Sequence, residues 1–199
     1  MGLAEVQGAL ARIYIDPMLR DRFFADPAAV GAALGLNAQE ARGLAQIPRR
    51  QVEHFADSLR RKRRDQVRRV VPIAAKAIGA NLFAELFERY VTESAPRGSK
   101  ADLDDAIGFV AALRRWADQV EPPCAVDLAR YELGWRQAVR AGRAPLVRMF
   151  RYPVGRLAIA RQPKRMAPRA TVALWWRPTR RGGVRHIVIS MPRIGFGRM

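Results

Sequence analysis

The sequence predicts an α+β fold: a mostly helical body over about residues 3–139, then a small basic antiparallel β-sheet. Three observations predict it. Apolar residues recur at helical spacing as far as Ala138. From Leu146 the period falls to two, and β-branched and aromatic residues accumulate. Charge divides at nearly the same point, because no aspartate or glutamate occurs between Leu133 and Met199. From Arg140 onward there are 14 arginines and one lysine, whereas the preceding 139 residues hold all 18 acids against 21 bases. Most of the formal charge of +18 therefore sits on the tail. Such a tail repels itself and favours an acidic ligand at close range.

Residues 1–47 read as short helices. Leu3, Val6, Leu10, Ile13 and Tyr14 share a face, and Asp16-Pro17 and Asp26-Pro27 each place an acidic cap before a proline at the first helical position. Gly35 and Asn37 suit a helix end and the next cap. Residues 48–140 form a second helical region. Val52, Phe55, Ala56, Leu59, Val67, Val70 and Val71 carry an apolar stripe through Arg60-Arg61-Lys62-Arg63-Arg64. That basic run fits either a solvated face or a docking surface for something acidic. Pro72 is expected to kink or restart the helix and Gly79 to end it. Leu82, Phe83, Leu86, Phe87 and Tyr90 then form a core face. Asp102, Asp104 and Asp105 favour the start of the next helix, where the macrodipole stabilises carboxylates. After Glu121-Pro122-Pro123, Val126, Leu128, Ala129, Leu133, Trp135 and Ala138 mark another buried helix.

Residues 141–199 are the basic sheet region. Strands are expected over Val147–Tyr152 and at Leu157-Ala158-Ile159. Residues 171–176 and 184–189 flank Thr179-Arg180-Arg181-Gly182-Gly183 as a hairpin. So small a sheet must pack one face on the helices and leave the other face or an edge open.

Composition is that of a folded chain, 49% apolar and 27% charged, long enough for one ordinary domain or two small ones. No apolar run approaches the roughly 20 residues that cross a bilayer. The start of the chain, with acids at Glu5 and Asp16, lacks the pattern of a secretory signal. Cys124 has no second cysteine to pair with, and a reducing cytoplasm is the expected compartment. His54, His186 and Cys124 are too few for a dense metal site, and nucleophile, phosphate-loop and zinc-helix motifs are missing. A noncatalytic chain without its own cofactor is expected. The hairpin sequence shows no broad apolar face beside its charges, which argues against a membrane surface.

The order of the pieces resembles a known family. Phe55-Ala56-Asp57-Ser58-Leu59-Arg60, the arginine-rich helix, Val70-Val71-Pro72 and Gly79-Ala80-Asn81-Leu82-Phe83 resemble the amino-terminal domain of HvfC/BufC-type proteins. Asp127-Leu128-Ala129-Arg130-Tyr131-Glu132-Leu133-Gly134-Trp135 is similar to that family's Leu-Ala-Arg-Leu-Glu-Trp-Ala-Trp helix. Val147-Arg148-Met149-Phe150-Arg151-Tyr152-Pro153-Val154 resembles the strand leading into its final sheet. The resemblance covers roughly residues 48–190, and residues 1–47 depart from it.

The family includes accessory subunits of the MbnC and TglI kind, which pair with multinuclear non-haem iron oxidases to modify cysteines in ribosomally made precursor peptides. The resemblance therefore implies a noncatalytic subunit in a heterodimer. It would bind the precursor's leader and present the cysteine to iron held by the partner oxidase. The expected peptide-binding residues are Val172, Leu174, Trp176, Arg177, Arg180, Arg181, Val184, Arg185 and Ile187. Those expected at the partner interface are Arg151, Tyr152, Trp175, Arg60 and Arg64. Physically, an open strand edge lets a peptide add itself to the ladder, while basic side chains steer an acidic leader. Trp175 and Trp176 alternate in direction, so either one packs on the helices while the other faces out or contacts a partner, or both lie in core and interface. The competing expectation is nucleic-acid binding, since an isoelectric point near 11.5 with basic helix and hairpin could neutralise phosphates.

Overall fold

The computed structural model describes residues 2–93, 102–160, 166–179 and 182–192. It is mostly helical with one three-stranded antiparallel sheet, the expected α+β class. The chain divides into two compact units, Met1–Arg63 with Val91–Arg97, and Arg64–Tyr90 with Gly98–Met199.

The first unit is built from short, locally capped helices: α1 (Leu3–Ile15), α2 (Pro17–Ala25), α3 (Pro27–Ala33) and α4 (Ala38–Ala45). Asp16 accepts the Leu19 N–H and Asp26 the Ala29 N–H, each at 3.0 Å, as the Asp-Pro pairs predict. Asn37 and Glu40 form a reciprocal capping box at the start of α4. Gly35 turns the chain with φ of 82°, a conformation that disfavours a side chain. Ala9, Ile13, Phe23, Leu36, Ala41, Leu44 and Val52 form this unit's buried core.

Helix α5 (Arg49–Val70) contributes its residues up to Arg63 to the first unit and the remainder to the second. It stops before Pro72, which opens α6 (Pro72–Ile78). Gly79, with φ of 91°, separates α6 from α7 (Ala80–Glu93). Phe83, Phe87 and Tyr90 of α7 gather around Phe109 of α8 (Asp102–Arg115), with ring centroids 5.1–5.8 Å apart. A short 3-10 turn at Ala117–Gln119 leads to α9 (Cys124–Ala141).

Helix α9 is the centre of the second unit. Every residue from Cys124 to Ala129 is buried, and two of the helix's carboxylates bind backbone of other elements. Glu132 accepts the N–H groups of Ile73 and Ala74, both at 2.8 Å, and so caps α6, whose own N-cap residue Val71 offers no acceptor. Asp127 accepts the N–H groups of Arg151 and Tyr152 at 2.7 and 3.0 Å, and Arg130 donates to its other oxygen at 2.8 Å.

The sheet has the order β1-β2-β3, with β1 (Leu146–Phe150), β2 (Thr171–Trp176) and β3 (Arg185–Ser190). Phe150, Ala173 and Trp175 pack inward with Tyr131, Ala138 and Val154. Trp175 is completely buried, its ring 5.5 Å from that of Tyr131. One expected strand is absent. Asp127 takes the N–H groups of Arg151 and Tyr152 away from the ladder, and Pro153 brings none. The chain therefore turns into α10 (Val154–Leu157), which buries Val154 and Leu157. Leu157-Ala158-Ile159 is not a strand.

Two stability tests follow from α9. A Cβ on Gly134 would lie 2.7 Å from the enclosed Trp175 ring. Gly134→Ala should therefore destabilise the protein by about 1–3 kcal/mol in thermal or urea unfolding, reversing the usual helical gain of alanine over glycine. The second concerns Glu132, whose carboxyl burial pushes from the ordinary 4.5 up to about 7, against the pull of its two N–H bonds. A carboxyl with a raised folded-state pKa stabilises the fold while protonated, and that contribution is lost as pH rises from about 4.5 to about 7. The stability of the parent chain minus that of Glu132→Gln should accordingly fall by roughly 1–3 kcal/mol across this window. Urea melts on either side of the window check it, and a constant difference contradicts it.

Candidate functional site: the outer face of the sheet

Strand alternation sends Thr171, Ala173 and Trp175 inward and leaves Val172, Leu174 and Trp176 on the opposite face. The register then aligns the outer residues in rows. Met149, Val172 and Ile189 form one row, Val147, Leu174 and Ile187 the next, and Trp176 lies opposite Arg185. Val147, Met149, Ile187 and Ile189 are 59%, 68%, 48% and 56% exposed. The hairpin thus joins β1 in a broad apolar face, contrary to the expectation drawn from its sequence alone.

Polarity across this sheet is partly inverted. Arg148, on the helix side, donates to Gln137 at 2.8 Å, and burial lowers its pKa. His186 is also on that side, 3.0 Å from the Tyr131 hydroxyl and with its ring 4.4 Å from that of Trp135. Ordinarily the aliphatic residues of a one-sided sheet face the core and the polar residues face water. Here Arg148 and His186 join Thr171 and Ser190 on the inner side while six aliphatic side chains cover the outer face. This exposed apolar surface makes the outer face the candidate site.

The rim is basic. Arg185 is exposed at one end of the face. Arg177 donates to the Gly182 carbonyl at 3.2 Å and to that of Val139 at 3.5 Å, tying the hairpin base to α9. Arg169 donates to the Met191 carbonyl at 2.7 Å, and Arg151 is exposed with its guanidinium 5.9 Å from the Tyr152 ring. Both β1 and β3 have a strand neighbour on one side only among the described residues.

Of the peptide-binding residues expected from the sequence, Val172, Leu174, Trp176, Arg185 and Ile187 share this face, with Arg177 at its rim. Val184 packs instead with the inner cluster, so it is a core-side residue. Arg180 and Arg181 lie outside the described residues. Trp175 is core, not a partner contact, because its own chain covers it completely. Arg151 and Tyr152 follow β1, with their backbone held by Asp127. Arg60 belongs to the first unit, where it pairs with Asp57, and Arg64 belongs to the second.

Val147, Met149 and Ile189 were missed as site residues. Their signal was the shared parity of Val147 with Met149 and of Ile187 with Ile189. Only the register shows that these pairs extend one face. Among the described residues no group of three potential metal ligands occurs, and no helix is long and apolar enough to cross a membrane. Burial pushes the Cys124 thiol pKa up, away from the reactive thiolate.

Residues 32–115 match the family described as SCO6045-like, C-terminal domain. The match spans less than half of the chain and ends before the sheet. No curated protein and no solved structure matches the chain significantly.

If the outer aliphatic residues contribute to docking rather than to the fold, Ile187→Thr with Ile189→Thr should change unfolding stability by less than about 1 kcal/mol. The same double substitution should reduce binding of a hydrophobic dye to the native protein. A large stability loss would place these side chains in the chain's own core.

Proposed function

We propose that this chain is a noncatalytic binding subunit whose sheet takes an acidic, amphipathic peptide. The carrying observation is the sheet's outer face, with six aliphatic residues on it and arginines at the rim. Burying that face supplies affinity. An open β1 or β3 edge offers main-chain pairing, and the rim favours carboxylates over neutral or basic sequences. Taken with the resemblance to HvfC/BufC-type subunits, the peptide is the leader of a ribosomally made precursor. The chain then presents the precursor's cysteine to a partner iron oxidase in the cytoplasm. The iron belongs to that partner.

The aliphatic character of the face weighs against nucleic acid. Phosphates gain nothing from Val147, Met149, Ile187 or Ile189, and Trp176 is the sole aromatic residue in the two strand rows and the row beyond them. Single-strand binders pair a basic track with several stacking rings.

The test is fluorescence anisotropy at physiological salt with a labelled 20-residue peptide of alternating valine and glutamate. A 20-nucleotide single strand and anionic vesicles serve as competitors. The peptide should bind more tightly than either competitor, and Ile187→Asp should weaken it by about tenfold or more through lost apolar burial and added like charge. Tighter binding of the oligonucleotide or vesicles, or an unchanged affinity in Ile187→Asp, overturns the proposal.

A further inference from the structure

The second unit carries another basic surface, along the last turns of α5. Three cavities of about 250, 740 and 430 Å³ lie there. Their walls are shared: Arg68, Ala75 and Ala80 line the first and second, and Arg69 lines the second and third. The first two form one groove, whereas the third meets it only at Arg69 and opens on the side of α5 that carries Gln66 and Val70. Arg64, Arg68, Arg69 and Lys76 supply the groove's positive charge, and none has an ion-pair or hydrogen-bond partner among the described residues. Asp65 also lines the groove, and Arg140 of the third cavity is paired with Asp104 at 2.5 Å.

The groove's shape and lining narrow the ligand. Its floor includes the small residues Ala75, Gly79 and Ala80, which allow a backbone to approach closely. Phe83, its one aromatic wall residue, is 3% exposed and offers no face on which a base could stack. A cationic groove without stacking rings fits successive carboxylates on a polypeptide. The third cavity reaches Val139, whose carbonyl receives Arg177 from the hairpin base.

We infer that this α5 groove binds an acidic stretch of polypeptide, separate from the apolar stretch taken by the sheet. The inference rests on the peptide-binding reading and deepens it by giving the acidic part of the ligand its own seat. It also explains a role for Arg64 that does not require contact with the sheet.

The experiment uses the full chain and a labelled octaglutamate peptide, which has no apolar side chains for the sheet. Arg68→Glu with Arg69→Glu should weaken binding by about tenfold or more. The neutral pair Arg68→Gln with Arg69→Gln should weaken it to an intermediate extent, with helix content unchanged by circular dichroism. Reversal of the exposed tail residues Arg143 and Arg156 makes the same change in net charge and should cost less than about threefold. Ile187→Asp should fall within that smaller range. Equal losses from both charge reversals mean a diffuse field and overturn the groove, as does tighter binding of an eight-nucleotide single strand than of octaglutamate. Failure of the sheet is distinguishable, because it leaves the contrast between the two charge reversals intact.

Discussion

The second unit depends on two carboxylates of α9 that bind backbone N–H groups belonging to other elements. Glu132 caps α6, and Asp127 holds the chain just beyond β1. Each satisfies two buried or partly buried donors that would otherwise lose their hydration without replacement. Together they fix α6 and the end of β1 to one helix. The ring of Trp175 then closes over Gly134, within two turns of these contacts, and seats β2 on the same helix. Backbone capture and aromatic packing thus reinforce each other.

These contacts also account for the charge pattern. Asp127 and Glu132 are the last two acids in the sequence, and both are engaged inside the fold. Nothing after them neutralises the arginines beyond Arg140. The end of β1 is held from within by Asp127, while arginines rim the sheet and its free face is aliphatic. In the proposed reading, this combination separates two sources of peptide recognition. Apolar burial on the sheet would give short-range affinity, whereas the arginine rim and the α5 groove would act over a Debye length and depend on salt.

Local chemistry made much of the helical body readable. Asp16-Pro17 and Asp26-Pro27 carry their caps within three residues, and Pro72 and Gly79 break a helix wherever they occur in one. The opposite directions of Trp175 and Trp176 followed from strand alternation. Which tryptophan turns inward did not, because it depends on Gly134 on another element. The missing strand at Leu157–Ile159 has the same origin. Its alternation is real, but Asp127 removes two donors from the ladder upstream, and Pro153 adds none. Arg148 and His186 concealed the outer apolar face most effectively. Polar residues in alternating strands ordinarily face water, whereas here Gln137 and Tyr131 receive them on the helix side. The sheet-region role of Arg180 and Arg181 lies beyond the described residues.

Amide hydrogen exchange gives the most direct test of the central claim that the exposed sheet receives the peptide. It should be measured with and without the alternating valine–glutamate peptide at a saturating concentration. The account predicts slowed exchange in an edge strand, β1 or β3, with little change in α1 to α4. Slowing confined to α1–α4, with both edge strands unaffected, would contradict it.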